Sequence, residues 1–303
     1  MFDQLLDKLQ NGRYITLETT PGHMPTIQPI IDKISELDLD KKVDGFSTTD
    51  NPLAKLKYNA ILGALSLQNR FNKPVLATVS MRDRNKIALQ SDLLGANDHN
   101  VRAFLTLTGD SAKISDQPNS KGVFEGDSTL MLDIIKCFNA GIDYAGKPFK
   151  VRPEPILGYS VVNSHAKNDR TLLKKMCKKI EHGTVGIITQ PVYDLDNAKK
   201  MVELHAQAKN ESQNPDSKSE LILGIFPITK LRTAQFLTAH VPGIHVPKIW
   251  LDRMYEASLV STEEEYKVGF DMSKKLFEDI LQEHPKVHIM TANQFDLADK
   301  LLS

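Results

Sequence analysis

The sequence predicts an α/β fold of one domain, an eight-stranded (β/α)8 TIM barrel over residues 1–303. Short apolar runs rich in β-branched residues alternate with longer stretches of helical period, repeatedly, which is the signature of parallel β/α units. The length lies inside the usual range for one such barrel with modest insertions. An open doubly wound sheet also accommodates alternating units. No GxGxxG follows the first strand, however, as its commonest dinucleotide-binding form requires, and this tilts the choice to the barrel.

Met1–Gly12 carries Phe2, Leu5, Leu6 and Leu9 at helical spacing, interrupted by Asp3, Asp7 and Lys8, and so reads as an amphipathic segment and not as a signal peptide. The strands follow at Tyr14–Thr19, Gly45–Thr49, Val75–Ser80, Ala103–Leu107, Ile156–Val161, Val185–Gln190, Leu221–Phe226 and Val287–Thr291. Between them, Thr26–Leu37, Lys57–Arg70, Asn85–Gly95, Ser128–Ala140, Arg170–His182, Asp196–Lys209 and Lys230–His240 have helical period. Each is long enough to cross back over a sheet with the usual right-handed connection. Beyond the seventh strand, Val241–Trp250 (VPGIHVPKIW) and a helix at Glu263–Glu283 are extra elements that close the barrel's edge.

Two interruptions stand out. Gly109–Gly126, with Ser111, Gln117, Pro118, Asn119 and Ser120, is a long polar loop directly after the fourth strand, where long loops tend to be functional. Asn210–Glu220 follows a helix and precedes a strand, which in a barrel puts it on the stability face as a surface loop.

Lys plus Arg and Asp plus Glu both count 38, so there is no basic surplus to neutralise a nucleic-acid backbone. No apolar run reaches about 18 residues, which excludes a membrane-spanning helix on length, and the expected location is the cytoplasm. Cys137 and Cys177 fall in helical segments with no paired spacing for a metal or redox site, and read as buried thiols.

Barrel chemistry sits at the C-terminal ends of the strands, and here those ends are polar. They bring Glu18, Thr19 and Thr20; Thr48, Thr49, Asp50 and Asn51; Met81 to Asn85; Thr108, Gly109 and Asp110; Gln190; and Asn293, with Tyr159 within the fifth strand. A polar heterocycle needs such a ring of acids, amides and hydroxyls. Asp83 and Asn85 read equally as helix caps, Asp50 and Asn51 as caps or turn residues, and Arg82 and Arg84 as ordinary solvated charges. Glu18 is different, because burying a carboxylate at the end of an inner strand costs several kcal/mol without a purpose or partner. Gln190 can both donate and accept, which suits a pteridine-like edge.

Taken together, ITLETTPG (Ile15–Gly22), STTDNP (Ser47–Pro52), MRDRN (Met81–Asn85), LTLTGDSAK (Leu105–Lys113) and GIITQPVYD (Gly186–Asp194) resemble the methylenetetrahydrofolate reductase family. GIFPIT (Gly224–Thr229), VPGIHVP (Val241–Pro247) and HIMTANQ (His288–Gln294) continue the resemblance in order. It implies an FAD-containing barrel that oxidises NADH or NADPH and passes the hydride to methylenetetrahydrofolate, ping-pong, giving methyltetrahydrofolate, in a homo-oligomer. By the same resemblance Glu18 is the acid that protonates the departing ring nitrogen, its pKa lifted by desolvation. Asp110 lies near flavin and pterin, and Gln190 holds the pterin. The resemblance implies that Thr49, Asp50, Leu107, Thr108, Gly109, Tyr159, Ala166 and Lys179 line the FAD site, with Lys179 on the diphosphate and Phe124 against the cofactor.

The chain departs from the family at four positions. Thr78, Thr108 and Asn163 stand where relatives carry His, Arg and His around the cofactor, and Gln294 stands where an Arg often follows the final Asn of the last strand. FAD affinity then rests on different contacts, and the folate contact from the last strand is open. Two other readings remain: a folate-binding methyltransferase barrel without flavin, and a non-catalytic barrel subunit of a larger redox complex.

Overall fold

The computed structural model describes residues 1–241 and 243–303, so Pro242 of the VPGIHVP segment lies outside the described residues. In chain order the elements are α1 (Phe2–Asn11), β1 (Tyr14–Thr19), α2 (Gln28–Glu36), α3 (Leu39–Lys42), β2 (Gly45–Thr48), α4 (Ala60–Phe71), β3 (Val75–Ser80), α5 (Lys86–Asp98), β4 (Ala103–Leu107) and α6 (Ser128–Asn139). They continue with β5 (Leu157–Val162), α7 (Asp169–Glu181), β6 (Gly186–Pro191), α8 (Leu195–Glu211), β7 (Glu220–Ile225), α9 (Leu231–His240), α10 (Lys248–Val260), α11 (Thr262–Glu283), β8 (Lys286–Ile289) and α12 (Phe295–Leu302). All neighbouring strands pair in parallel and β8 returns to β1, closing the barrel.

Strand residues of period two feed two cores. One set, including Leu17, Phe46, Val79, Phe104, Ile187 and Leu223, points outward and packs under the helices. The other set, Tyr14, Leu76, Ala103, Leu105, Tyr159, Ile188 and Ile222, fills the barrel interior together with Phe2, Leu5 and Leu9 of α1. The amphipathic segment read at Met1–Gly12 is therefore a plug. Its three apolar residues, each worth roughly 1.5–3 kcal/mol when fully buried, shut the N-terminal end and leave the opposite end as the way in.

The eight predicted strands all form; β1, β3 and β4 keep the predicted bounds and the other five differ at an end by one or two residues. β8 stops at Ile289 and not at Thr291 because Ala292 and Asn293 take positive φ, 50° and 65°, and turn the chain out of the ladder. Asn293 then clamps the turn to β1, accepting from Thr20 N at 2.8 Å and donating to Thr20 O at 2.6 Å. The segment after β7 builds an outlying cluster in which Tyr193 and Ile228 meet Ile244, Trp250 and Met254, with Trp250 Nε1 donating to Tyr193 O at 2.8 Å. Among the described residues no helix is long and apolar enough to cross a membrane.

Candidate active site

A cavity of about 800 Å³ opens at the C-terminal end of the barrel. Seven of the eight strands or the loops that follow them reach its wall, among them Glu18 from β1, Thr78 and Ser80 from β3, Leu107 from β4, Gln190 from β6, and His288 and Met290 from β8 and its exit. The inward positions of a barrel strand alternate with outward ones, so Thr16 and Glu18 share one column of β1. The same rule puts His288 and Met290 in one column at β8.

The floor is a buried polar cluster. His288 Nδ1 lies 2.8 Å from Thr16 Oγ1, and its Nε2 lies 3.4 Å from Ser47 Oγ and 4.0 Å from Glu18 Oε2. Burial pushes His288 down to about 4, so the ring is neutral near pH 7 and its contact with Glu18 is not an ion pair. Burial likewise pushes Glu18 up to about 7, although its side chain stays 23% exposed toward the cavity. The cavity thus holds a carboxyl group that keeps its proton near neutrality beside a base that does not compete for it.

The rim is held by buried charge. Asp50 Oδ2 accepts from Ser80 N at 2.9 Å and from Arg84 at 2.6 Å, and Arg84 also donates to Asp92 at 2.8 Å. Arg82 is almost fully buried, donating twice to Asp83 at 2.7 Å and to Asn51 O at 3.1 Å. The expectation of solvated charges at Arg82 and Arg84 is therefore corrected: the buried Asp50 carboxylate needs a cation, which Arg84 supplies, and Arg82 is itself covered, with Asp83 and Asn51 O as its partners. Of the expected caps, Asn85 does cap α5 by accepting from Ala88 N, whereas Asp83 serves Arg82. Gly109 has φ +93°, and a Cβ there would come within 3.0 Å of the Cβ atoms of both Ser80 and Arg82, so only glycine lets β4 turn this close to β3. Asp110 reaches across to accept from Leu53 N at 2.7 Å, and Val123 N and Phe124 N return to Arg82 O and Met81 O, folding the long loop onto the β3 exit.

The far end is basic. Lys175, Lys178 and Lys179 line the cavity beside Asp127, Ser128 and Thr129 at the start of α6. Asp127 caps that helix, accepting from Thr129 N at 2.8 Å, and pairs with Lys178 at 2.7 Å. Burial works against its charge, but the bonds from Lys178 and Thr129 outweigh it and hold the carboxyl well below the usual range. Lys179 is buried, donates to Ser128 Oγ at 3.1 Å, and is pulled down by burial to about 8. Helix N-terminal amides and ammonium groups aimed at one space favour an anion.

Of the residues expected from the sequence, Glu18, Thr49, Asp50, Thr78, Leu107, Thr108, Gly109, Asp110, Asn163, Lys179 and Gln190 all line this cavity. Four do not. Tyr159 is fully buried in the lower barrel core, two residues before Val161 reaches the cavity wall. Phe124 sits exposed with φ 44°, Gln294 is exposed at the start of α12, and Ala166 packs against the outer core. Sequence reasoning missed Ser80, Lys175, Lys178 and His288. Strand alternation carries the signal for Ser80 and His288, and Lys175, Lys178 and Lys179 stand at i, i+3 and i+4, one helix face.

The family model described as Methylenetetrahydrofolate reductase matches residues 2–303. No curated protein matches the sequence. Among solved structures, an uncharacterised protein from Clostridium thermocellum, described as binding two copies of 5-methyl-5,6,7,8-tetrahydrofolic acid, superposes with a TM-score of 0.63 at 15% identity, over 100% of this chain and 98% of its own. DmoA from Hyphomicrobium sulfonivorans has a TM-score of 0.52 at 6% identity, over 95% and 85%. At these identities the two neighbours speak for the barrel alone. The family match takes in every strand of that barrel, and the chain belongs to the methylenetetrahydrofolate reductase family.

Proposed function

We propose that the chain reduces 5,10-methylenetetrahydrofolate to 5-methyltetrahydrofolate with electrons from NADH or NADPH, using FAD, with folate and nicotinamide taking turns at one site. The observation that carries this reading is Glu18, a carboxyl group lifted to about 7 by burial and set on the cavity wall with Gln190.

The wall fits an FAD-sized polar ligand. Thr49 Oγ1 and Ser80 Oγ are buried without a hydrogen-bond partner, and Lys179 has only Ser128. Lys175, Lys178 and Lys179 with the start of α6 would hold the diphosphate, supplying cationic charge where Thr78, Thr108 and Asn163 are neutral. Bound there, FAD would accept two electrons from the nicotinamide and deliver them to the folate.

The protein's own contribution is a proton and a pose. Opening the imidazolidine ring breaks a C–N bond and leaves its electron pair on nitrogen. Glu18 would donate the proton that makes this nitrogen a leaving group, becoming a carboxylate as the iminium carbon forms. Gln190 would fix the pterin edge through its amide, and orientation of this kind supplies much of the rate. Neutral His288 leaves the proton on Glu18.

Folate as the ligand agrees with what the Clostridium thermocellum neighbour is described as binding, and a second reading is a folate-binding methyltransferase barrel without flavin. Anaerobic half-reactions separate the two. The FAD-loaded protein should be yellow, should bleach with NADH or NADPH, and should recover colour with methylenetetrahydrofolate. Glu18→Gln should keep the bleaching and lose the recovery. Failure to bind FAD would favour the second reading, and equal loss of both half-reactions would remove Glu18 as the acid.

A further inference from the structure

We propose that Thr189 and Gly224 are positioning residues for Gln190: together they build a bulge in β6 that turns its amide into the cavity, and so they set how the site holds the pterin edge. The inference rests on the reading of Gln190 given above. It starts from a register that slips. Ile188 pairs with Ile222, but the next pair of β6 and β7 is Pro191 with Gly224, so β6 advances three residues while β7 advances two. One extra residue in one strand is a bulge, uncommon between parallel strands, and bulges beside active sites re-aim a side chain. The effect shows on the wall. Successive side chains of a regular strand point to opposite faces, yet Ile188, Thr189 and Gln190 all line the cavity.

Two features hold the extra residue in place. Thr189 is buried, and its Oγ1 accepts from Gly224 N at 2.9 Å, which ties the bulged residue to the facing strand. Val192 N then donates to Gly224 O at 3.1 Å, so pairing resumes beyond the bulge. Pro191, between them, has no N–H to give a ladder, and a bulge is one of the few places where a sheet accepts a proline. Gly224 supplies the room. A Cβ there would lie 2.3 Å from Thr189 O and 3.1 Å from the carbonyl carbon of Gln190, main-chain atoms that no side-chain rotation can move, and 2.8 Å from Cε of Met290 on the cavity wall. Any side chain at 224 therefore pushes the bulge, and Gln190 with it, away from β7. Both residues act through Gln190, by fixing the backbone that carries it.

Equilibrium titration of the full chain with 5-methyltetrahydrofolate tests this without requiring turnover. Gln190→Ala should weaken binding about tenfold. Gly224→Ala should weaken it about as much, and the double variant Q190A/G224A should bind no worse than Q190A, because the two changes remove one contact and so do not add. Thr189→Val removes the hydroxyl at nearly constant shape and should cost about threefold or more, whereas Thr189→Ser keeps the hydroxyl and should bind as the wild type does. If Gly224→Ala does not fold, the cycle of T189V with Q190A decides by the same rule. A weakened Q190A beside G224A and T189V that bind like the wild type would overturn the inference and leave the role of Gln190 standing. Losses that add in the double variants would show that the bulge supports the fold and not Gln190, and would overturn it as well. A Q190A that binds as tightly as the wild type would remove Gln190 from the pterin edge, and this inference with it.

Discussion

Replacing Glu18 with Gln should make the protein more stable in alkali while changing little in acid. The carboxyl holds its proton up to about 7 in the folded chain, against 4.5 when free. Such a group favours folding below about 4.5, and that contribution is lost as the pH rises through about 7, where ionisation inside the cavity sets in. At about 1.36 kcal/mol per pH unit the swing is about 3 kcal/mol. With an unfolding entropy of about 2.1 cal/mol/K per residue, it corresponds to a melting shift of roughly 5 °C in a chain of this length. Calorimetric melts of wild type and Glu18→Gln between pH 4.5 and 8.5 should coincide at the acid end and separate by about that amount at pH 8.5, with the variant higher. Comparing the two proteins at each pH removes the opposite trend from His288, whose lowered pKa adds stability as the pH rises from about 4 to 6.5. Parallel curves would show that Glu18 titrates as a solvated carboxyl and would refute the reasoning.

Three further outcomes follow from the cavity wall. Asp50→Asn leaves Arg84 buried with only Asp92 and should cost about 3 kcal/mol in denaturant unfolding; a loss under about 1 kcal/mol would show the pair to be dispensable. Lys179→Met should weaken FAD binding at least tenfold by flavin fluorescence, and wild-type affinity should fall as pH rises through about 8, where Lys179 loses its charge; affinity unchanged by both perturbations would place the diphosphate elsewhere. Tyr159→Phe should leave flavin and folate affinity unaltered, because the side chain is buried beside Tyr14 in the lower barrel core, far below the mouth; a tenfold loss of FAD affinity would contradict its placement.

The barrel was legible because its strands are buried on both faces and so appear as uninterrupted β-branched runs, such as VLATVS at Val75–Ser80 and GIIT at Gly186–Thr189. The short α3, the terminal α12 and α10, of which only the segment Val241–Trp250 was noted, were not read as helices. α3 has four residues, and α12 has eight with Gln294 at its cap position making no side-chain bond. Resemblance carried Glu18, Asp110 and Gln190 to one cavity, but it placed Tyr159 there too, and strand alternation puts that side chain a layer lower. Arg82 and Arg84 looked like surface charges because the contacts that cover them, Arg84 with Asp50 and Arg82 with Asn51 O, are each more than thirty residues apart and arise only where the β2 and β3 exits meet. His288 was passed over as part of a motif, although its place two residues before Met290 sets both on the inner face of β8.

The most direct test is the pH dependence of the folate half-reaction in a single turnover, with reduced, FAD-loaded protein mixed with methylenetetrahydrofolate. If Glu18 is the proton donor, the rate is level at low pH and falls about tenfold per unit above about 7, while Glu18→Gln is slow and shows no such break. A wild-type rate that stays flat or climbs from pH 6 to 9 would contradict it.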